Sequence, residues 1–224
     1  MFCRMAAREG EEYYENSKCY WEKVPATIDG MLGGFPQVSP IDIKTSSIFL
    51  RSFLKTHGGS IDNNRALDCG AGIGRVTKHL LTPLFNHVDM LDLNEKFLNR
   101  AETYLGDKKS KVDRYICNSL QDFVPEPGRY NVIWCQWVLG YLSNSDFVSF
   151  LKRCKAALVS GGLIAIKENV TTEGRVFDET DSCFTRPKSE FISIIKKSGM
   201  KVVKVEKQEG LPAELFAVYL FAMQ

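Results

Sequence analysis

Apolar runs of strand length alternate with amphipathic stretches of helix length from Arg65 onward. The strand candidates lie in "ALDC", "HVDMLDL", "DRYIC", "YNVIWCQ" and "LIAIKEN". Helical patterns follow in "RVTKHLLTPLF", "NEKFLNRAETYL", "SDFVSFLKRCKAAL" and "KSEFISIIKKSG". This alternation predicts a doubly wound α/β fold with a largely parallel sheet. The last two apolar runs, in "MKVVKVEKQEG" and "LFAVYLFAM", are joined by a short loop, which predicts an antiparallel pair.

The N-terminal part of the chain has a different pattern, which predicts a helical cap. In residues 11–24, the side chains spaced for one helical face are Tyr13, Ser17, Tyr20, Trp21 and Val24. Pro25 predicts the end of this helix, "ATIDGMLGGFPQVSPIDI" predicts a loop, and "KTSSIFLRSFLKT" predicts a second helix. We expect a single domain over 1–224, with the cap at about 1–60 and the α/β core at about 65–224.

Composition and charge argue against several classes of function. The 224 residues carry a net charge of +2, which gives no basic field of the kind that binds nucleic acid. We find no apolar run long enough to span a membrane, and "MFCRMAAREGEEYYE" lacks the apolar core of a secretory signal. The seven cysteines stand singly and the three histidines have no metal-ligand spacing. We therefore expect no metal site and a reducing compartment, namely the nucleus and cytoplasm.

A glycine-rich turn, "DCGAGIG", lies between the first core strand and its helix. Glycines let the backbone turn tightly and approach a ligand at a helix N-terminus, although a purely structural turn has the same composition. The dinucleotide fingerprint G-x-G-x-x-G would require a glycine at position 75, where this chain has arginine. The observed G-x-G-x-G spacing resembles the S-adenosylmethionine (SAM) pocket of class I methyltransferases. That resemblance implies SAM as cofactor and a Rossmann-like sheet of seven strands, mostly parallel, with an antiparallel last strand.

Polar residues at the ends of neighbouring strands support a SAM pocket. Asp92 ends the second strand, where a carboxylate can accept hydrogen bonds from both ribose hydroxyls; its alternative role is a helix N-cap. Leu120 and Gln121 follow the third strand, where such folds hold the adenine ring. Arg75 opens the helix and can pair with the carboxylate of SAM, unless it is simply a surface residue.

The aromatic segment "WCQWVLGYLS", residues 134–143, crosses the end of the fourth strand. Ligands of such sheets lie beyond the carboxyl ends of the strands, which places Gln136, Trp137 and Tyr141 near the reacting methyl group. Trp134 alternates with Val132 and is expected in the core. Aromatic faces suit a cation or a methylammonium group. We therefore expect the segment to form the rim of an active site, with a role confined to the core as the alternative.

Several longer stretches resemble one family, the α-N-terminal protein methyltransferases. The stretches are "YWEKVPATIDGMLGG", "LDCGAGIGR", "LQDF.PEP.RY.VIW.QWVLG", "IKEN" and "DETDSCFTR". Those enzymes methylate the free α-amine of proteins that begin X-Pro-Lys or X-Pro-Arg after removal of the initiator methionine. The resemblance runs from about Tyr13 to the C-terminus, and "GMLGG" together with the tryptophan pair is more specific than the glycine turn.

The resemblance implies a role for each matching residue. Contacts with SAM are implied for Gly70, Gly72, Arg75, Asp92, Leu120, Gln121 and Gln136. A pocket for the proline at substrate position two is implied for Leu32, Val38 and Leu215, and the peptide entry for Trp21 and Trp137. Asn169 would hold the carbonyl of the first substrate residue, and Asp178 and Asp181 would face the cationic third residue. We expect Asp181, Asn169 and Tyr141 to be the catalytic residues.

The chain departs from the family at Tyr141, where histidine usually follows "QWV.G". That histidine is thought to help Asp181 take the proton of the amine, whereas a phenol with a pKa near 10 is a poor base. At pH 7.4, however, roughly a quarter of an α-amine is already neutral. We therefore expect activity with Asp181 as proton acceptor and a more alkaline pH profile than in histidine-bearing relatives. Cys183 and Phe216 also stand where relatives often have serine and tyrosine; both remove a hydroxyl group near the expected peptide site, so the sequence does not predict the fine substrate preference.

Two other functions are compatible with the sequence. One is a methyltransferase for small molecules or lysine side chains; the other is a peptide-binding module that has lost catalysis, which Tyr141 favours and the intact SAM residues oppose. An NAD-dependent oxidoreductase is disfavoured by the glycine spacing. We expect protein N-termini as partners, without direct nucleic-acid or membrane binding, and the sequence predicts no oligomeric state.

Overall fold

The computed structural model describes residues 11–224, so residues 1–10 of the predicted cap lie outside the described residues. The strands in chain order are β1 Arg65–Cys69, β2 His87–Asp92, β3 Val112–Cys117, β4 Tyr130–Gln136, β5 Leu158–Thr171, β6 Val176–Asp178, β7 Cys183–Pro187, β8 Val202–Lys207 and β9 Ala217–Met223. The α-helices are α1 Glu11–Lys23, α2 Ile28–Met31, α3 Ser39–Arg51, α4 Thr82–Leu84, α5 Glu95–Tyr104, α6 Asn144–Ala157 and α7 Lys188–Lys197. Short 3₁₀ turns occupy Pro36–Val38, Lys55–His57, Gly106–Lys111 and Leu139–Tyr141.

The main sheet has the predicted parallel centre and antiparallel end. Its strands follow the order β3-β2-β1-β4-β5-β9-β8, in which β9 runs antiparallel to both β5 and β8. The seven predicted strands are therefore confirmed, including the antiparallel pair at the end of the chain. Buried parallel strands have apolar residues on both faces, and every residue of β4 is buried.

The described residues contain nine strands, two more than the seven predicted. The two further strands form the hairpin β6–β7, which includes the acidic stretch "VFDETDS". Strand β7 pairs in parallel with Val170 and Thr171 at the end of β5. Because β4 stops pairing with β5 at Lys167, β7 occupies the edge of β5 that lies beyond the end of β4. The hairpin therefore lies next to the carboxyl ends of the central strands.

The helix after the glycine turn is irregular. It contains a π-helical turn at Thr77–Leu81, followed by the short α4. Pro83 lacks a backbone N–H, and its ring would clash with the carbonyl group four residues earlier in a regular helix. A π turn just before the proline accommodates both effects, which explains why the predicted helix is present but widened.

Two apolar layers cover the sheet, one on each face. Ala66, Val132 and Trp134 pack with Phe49 and Leu50 of α3 on one face. The opposite face packs against α6 and α7, through the cluster that includes Leu67, Ile133, Phe147, Phe150, Phe191 and Ile194. Alternation along β4 thus places Trp134 in the core, as predicted.

Helix α1 ends before Pro25, as predicted, and lies across the carboxyl edge of the sheet. The Tyr13 hydroxyl donates to the carbonyl of Gly140 at 2.6 Å, and the carbonyl of Trp21 accepts from Asn94 Nδ2 at 3.1 Å. These bonds join the first helix of the cap to the loops after β4 and β2. None of the helices in residues 11–224 has the length and apolar character needed to cross a bilayer.

Candidate functional site

A cavity of about 460 Å³ opens where the carboxyl ends of β1 to β4 meet. The seven residues predicted to hold SAM all line it, namely Gly70, Gly72, Arg75, Asp92, Leu120, Gln121 and Gln136. Trp21, Trp137 and Tyr141 line it as well. Residues from the cap and from four strand ends therefore enclose one space, which is the position expected for a ligand of a doubly wound sheet.

The glycine turn forms the floor of this cavity in a backbone conformation that other residues rarely adopt. The φ angles of Gly70 and Gly72 are 69° and 54°. A Cβ atom at Gly70 would lie 2.6 Å from the side chain of Val138, and one at Gly72 would lie 2.6 Å from Met31 Sδ. Glycine is thus required both for the turn and for the close approach of its neighbours.

Asp92 connects the glycine turn to the loop after β2. Its Oδ2 accepts from the Gly72 N–H and its Oδ1 from the Asn94 N–H, both at 2.8 Å. Asn94, which accepts from Lys96 N–H, is the N-cap of α5, so the N-cap alternative for Asp92 is wrong. Burial raises the pKa of Asp92 to about 6, while the two backbone N–H groups act in the opposite direction. The remaining lone pairs of the carboxylate can accept hydroxyl groups of a ligand.

Arg75 is 5% exposed, so the alternative of a surface residue is wrong. Its Nη1 donates to Asp42 Oδ2 at 2.7 Å, and its guanidinium carbon lies 5.6 Å from the centre of the Trp137 ring. Gln136 Nε2 donates to the other oxygen of Asp42 at 2.8 Å. Arg75, predicted from the glycine turn, and Gln136, predicted from the aromatic segment, therefore share Asp42 as a buried partner.

The aromatic segment forms part of the cavity wall. The rings of Trp21 and Tyr141 pack edge to face with centroids 5.9 Å apart. Trp137 has a φ of 53°, which is rare for a residue other than glycine and points to a local constraint. Its Nε1 is buried and has no hydrogen-bond partner among the described residues. A buried donor without an acceptor is costly, so this atom suits a ligand carbonyl or carboxylate.

Tyr141 and Asp181 form a hydrogen-bonded pair beside this wall. The Tyr141 hydroxyl donates to Asp181 Oδ2 at 2.6 Å. Asp181 Oδ1 is buried and has no partner within residues 11–224. Burial, and secondarily the charge of Asp181, raises the pKa of Tyr141 well above its usual value. The phenol therefore stays neutral, and the pair offers one free carboxylate oxygen to a donor such as an amine.

The other predicted substrate residues lie outside the set that lines the cavity. Leu32 and Val38 are buried in the cap, and half-buried Asn169 lies on β5 opposite Val218. Leu215 lines a separate depression formed within residues 207–218. Asp178 is exposed on β6, and its Oδ1 accepts from the Thr180 N–H. The structure thus brings Asp181 to Tyr141, which lines the cavity, whereas the remaining five are not among the lining residues.

Three charged residues with structural roles at the site were missed from the sequence. Asp42 and Lys167 form a buried ion pair with an N–O distance of 2.5 Å. Glu168 Oε1 accepts from the N–H groups of Val138 and Leu139, both at 2.8 Å, and so fixes the loop after β4. Burial raises the pKa of Glu168 to about 7, against the effect of these two N–H groups. Lys167 and Glu168 are charged residues inside the otherwise apolar run "LIAIKEN", which was the signal available for them. No feature of the sequence distinguishes Asp42.

No cluster of potential metal ligands occurs in the described part of the chain. By contrast, the glycine floor, Asp92 and the Arg75 side chain match the parts of SAM: a close-packed nucleoside, ribose hydroxyls and a carboxylate. The residues present therefore fit this cofactor.

Comparison with known proteins agrees with this fit. The family model described as AdoMet dependent proline di-methyltransferase matches residues 9–224. The N-terminal Xaa-Pro-Lys N-methyltransferase 1-B of Xenopus laevis is 47% identical over 213 residues, which are 95% of this chain and 96% of that protein.

Two solved structures are similar in fold. A SAM-dependent methyltransferase of Leishmania major has a TM-score of 0.88 at 38% identity, covering 95% of this chain and 83% of that one. The 1,6-didemethyltoxoflavin-N1-methyltransferase of Burkholderia thailandensis, solved with S-adenosylhomocysteine, has a TM-score of 0.66 at 16% identity, covering 81% and 76%. The second comparison supports the fold alone.

The raised pKa of Asp92 predicts a pH-dependent affinity for S-adenosylhomocysteine. Ribose hydroxyls donate to the ionised carboxylate, so binding favours the charged form, which the free protein loses as the pH falls through about 6. We expect a constant Kd above this pH and roughly a tenfold weakening per pH unit well below it. Titration calorimetry from pH 5 to 8 measures this, with circular dichroism as a folding control. The Asp92→Asn variant should bind more weakly at pH 8 and lack the step; a step that persists would assign it to another group.

Proposed function

The chain belongs to the family of AdoMet-dependent proline di-methyltransferases, and on this premise we propose that it methylates the free α-amine of proteins beginning X-Pro-Lys or X-Pro-Arg. It is a SAM-dependent methyltransferase with the class I fold, and its substrates are proteins. The observation that carries the proposal is the Tyr141–Asp181 pair, whose free, buried carboxylate oxygen lies beside an aromatic cavity wall.

Bound SAM supplies an electrophilic sulfonium methyl group, so the protein has to orient a neutral amine and exclude water. Gly70, Gly72 and Asp92 would hold the nucleoside, and Arg75 the carboxylate, while Leu120 and Gln121 lie on the side expected for adenine. The tryptophans at positions 21 and 137 would close the space around the reacting groups. This arrangement favours reaction with a bound amine over reaction with water.

Asp181 is the residue best placed to accept a proton from the amine. Its Oδ1 has no partner in the described chain, so an incoming N–H can donate to it directly. Tyr141 already donates its own proton to Oδ2, and the Trp21 side chain hydrogen-bonds to its phenol group, so Oδ1 is the open acceptor of the pair. This oxygen would direct the amine, and the Asp181 carboxylate would stabilise the ammonium that forms.

The free-energy cost of deprotonation favours an α-amine over a lysine side chain. With a pKa of about 7.7–8.0, an α-amine at pH 7.4 loses its proton at a cost of less than about 1 kcal/mol. A lysine amine with a pKa of about 10.4 costs about 4 kcal/mol. A site that has tyrosine in place of a histidine base is therefore better suited to a protein N-terminus.

The peptide-binding roles of the surrounding residues are part of the proposal. Leu32, Val38 and Leu215 would form an apolar slot for the proline ring, and Asn169 would donate to the first carbonyl. The exposed carboxylate of Asp178, together with Asp181, would attract the lysine or arginine at position three. We also propose the nucleus and cytoplasm as the sites of action, because the six cysteines in the described residues are free thiols.

A peptide assay tests the proposed function. The protein is incubated with SAM and a hexapeptide that begins Ser-Pro-Lys, and product masses are read. We expect addition of one to three methyl groups, since the free α-amine is the nucleophile, and none on an N-acetylated copy. Binding of SAM without any methylation would instead support a peptide-binding module or another amine substrate.

The Asp181→Asn variant should lower kcat by about 100-fold or more, because the amide cannot accept the proton. Affinity for S-adenosylhomocysteine should change by less than about twofold, since Asp181 is not among the residues lining the cofactor cavity. Asp178→Asn is the matched comparison and should raise the KM of the peptide with little change in kcat. A comparable loss of cofactor affinity in Asp181→Asn would show a structural role.

The Tyr141→His variant should be active at lower pH than the wild type. The neutral tyrosine cannot take up the proton, so the acidic limb of kcat/KM should follow the α-amine pKa near 8. An imidazole that titrates near 6.5 can accept it, and we expect the limb to move by about one pH unit. Tyr141→Phe, which keeps the ring, should keep the wild-type limb at a lower rate. An identical profile in all three proteins would contradict this role.

A further inference from the structure

A buried carboxylate joins two of the residues that line the cavity. Asp42 of α3 is fully buried, and its Oδ2 accepts a hydrogen bond from Arg75 Nη1 at 2.7 Å. Its Oδ1 accepts from Gln136 Nε2 at 2.8 Å and lies 2.5 Å from Lys167 Nζ. Arg75 and Gln136 line the cavity and Asp42 does not, so Asp42 can act on a ligand only through them.

The amide of Gln136 is held at both polar atoms. Trp134 Nε1 donates to its Oε1 at 3.1 Å, while its Nε2 donates to Asp42. A free glutamine amide can present either atom to a ligand, but these two bonds determine which atom takes which position. The second N–H of Nε2 is left over, so Gln136 retains a hydrogen-bond donor for a ligand.

Arg75 is oriented by the same carboxylate. Its Nη1 donates to Asp42 and to Ser39 Oγ, at 2.7 and 3.3 Å. No other residue in the described part of the chain accepts a hydrogen bond from the guanidinium, which leaves its other N–H groups for a ligand. An arginine held in one conformation loses less entropy when it binds a carboxylate than a freely rotating one.

This cluster carries one positive charge in excess. Arg75 and Lys167 contribute two positive charges, Asp42 contributes one negative charge, and all three side chains are buried. Burial lowers the pKa of Lys167 and the charge of Asp42 raises it, so Asp42 helps to keep Lys167 protonated. The buried Asp68 carboxyl also acts on Arg75, but burial raises its pKa to about 7, so it compensates this excess only in part at neutral pH. An anionic ligand is therefore favoured at the open side of the cluster, which is next to Arg75.

We propose that Asp42 is a positioning residue that orients Arg75 and Gln136 so that both donate to the amino-acid carboxylate of SAM. The inference rests on the proposed SAM-dependent function. Because Asp42 belongs to α3, it also links binding of this carboxylate to the docking of the cap on the sheet. The chemical class that the cluster recognises is a ligand carboxylate, not the nucleoside.

Two ligands that differ in one group test the proposal. S-adenosylhomocysteine is compared with its decarboxylated analogue, S-adenosyl-3-thiopropylamine, by titration calorimetry. The wild type should bind S-adenosylhomocysteine more tightly by about tenfold or more. In Asp42→Asn this preference should fall by about tenfold, because the amide has a single acceptor oxygen and cannot hold both Arg75 and Gln136. Affinity for the analogue should change by less than about twofold. Equal weakening of both ligands would overturn the proposal and show a structural role.

A second variant separates orientation from net charge. In Asp42→Asn, Arg75 and Lys167 are both left as cations unless Lys167 loses its proton. This additional positive charge would by itself strengthen the binding of a ligand carboxylate. The double variant Asp42→Asn/Lys167→Met keeps the excess of one positive charge and should also lose the preference. A preference kept or increased in both variants would overturn the proposal, because charge alone would then explain binding.

Asp89→Asn is the matched control for loss of a buried aspartate. Asp89 is fully buried and bonded to Arg65 and Arg129, but it does not line the cavity. Its loss should lower the melting temperature without changing the ratio of the two affinities. These binding measurements need no methyl acceptor. They can therefore be interpreted even if the peptide assay shows no methylation. If the wild type binds neither ligand, the proposed cofactor site and this inference are both wrong.

Discussion

The buried ion pair between Asp42 of α3 and Lys167 of β5 is the constraint on which the site depends. Two charges removed from water destabilise the fold unless every polar atom around them is satisfied. Lys167 Nζ meets this condition through the Asp42 carbonyl, Ser46 Oγ and Gln208 Oε1, at 2.8–3.0 Å. Asp42 and Ser46 both belong to α3, so these bonds hold α3 against β5. The cap is therefore fixed relative to the strand ends that line the cavity.

In the proposed mechanism, the site separates two tasks that a histidine would combine. Tyr141 would contribute orientation, because burial beside Asp181 keeps its phenol neutral. Asp181 would contribute the basic oxygen, which is buried and without a partner in the described chain. An α-amine needs little help in losing its proton near neutral pH, so a tyrosine is sufficient for such a substrate. The same pair would be a weak catalyst for methylation of a lysine side chain. On this proposal, tyrosine in place of histidine at position 141 narrows the range of amines that the enzyme can methylate.

The sequence predicted those parts of the fold that are determined by residues close together along the chain. Apolar periodicity located the core strands, and the turn around Gly70 and Gly72 was recognisable because only glycine fits its φ angles. The glycine turn, the strand ends and a family resemblance together predicted the residues that line the cavity. Asp42 was missed because its partners lie 94 and 125 positions away, so no local pattern distinguishes it. The hairpin β6–β7 was missed because its acidic composition is that of a solvated loop. Long-range contacts order it, namely pairing with the end of β5, packing of Phe177 and Phe184 on Tyr13, and hydrogen bonds from Arg186 to the loop after β4.

Strand β5 spans 14 residues and contributes to both sides of the sheet. Leu163 and Ala165 pack against the α3 layer and Lys167 continues that face, whereas Ile164 and Ile166 face the other layer and Glu168 follows them. A shift of one residue would exchange the two faces and bury each charge among apolar side chains. Single-residue insertions and deletions are therefore excluded from residues 163–168 of β5, while the exposed turn at 172–174 can accept them. Changes in chain length beside the site are accordingly confined to that turn.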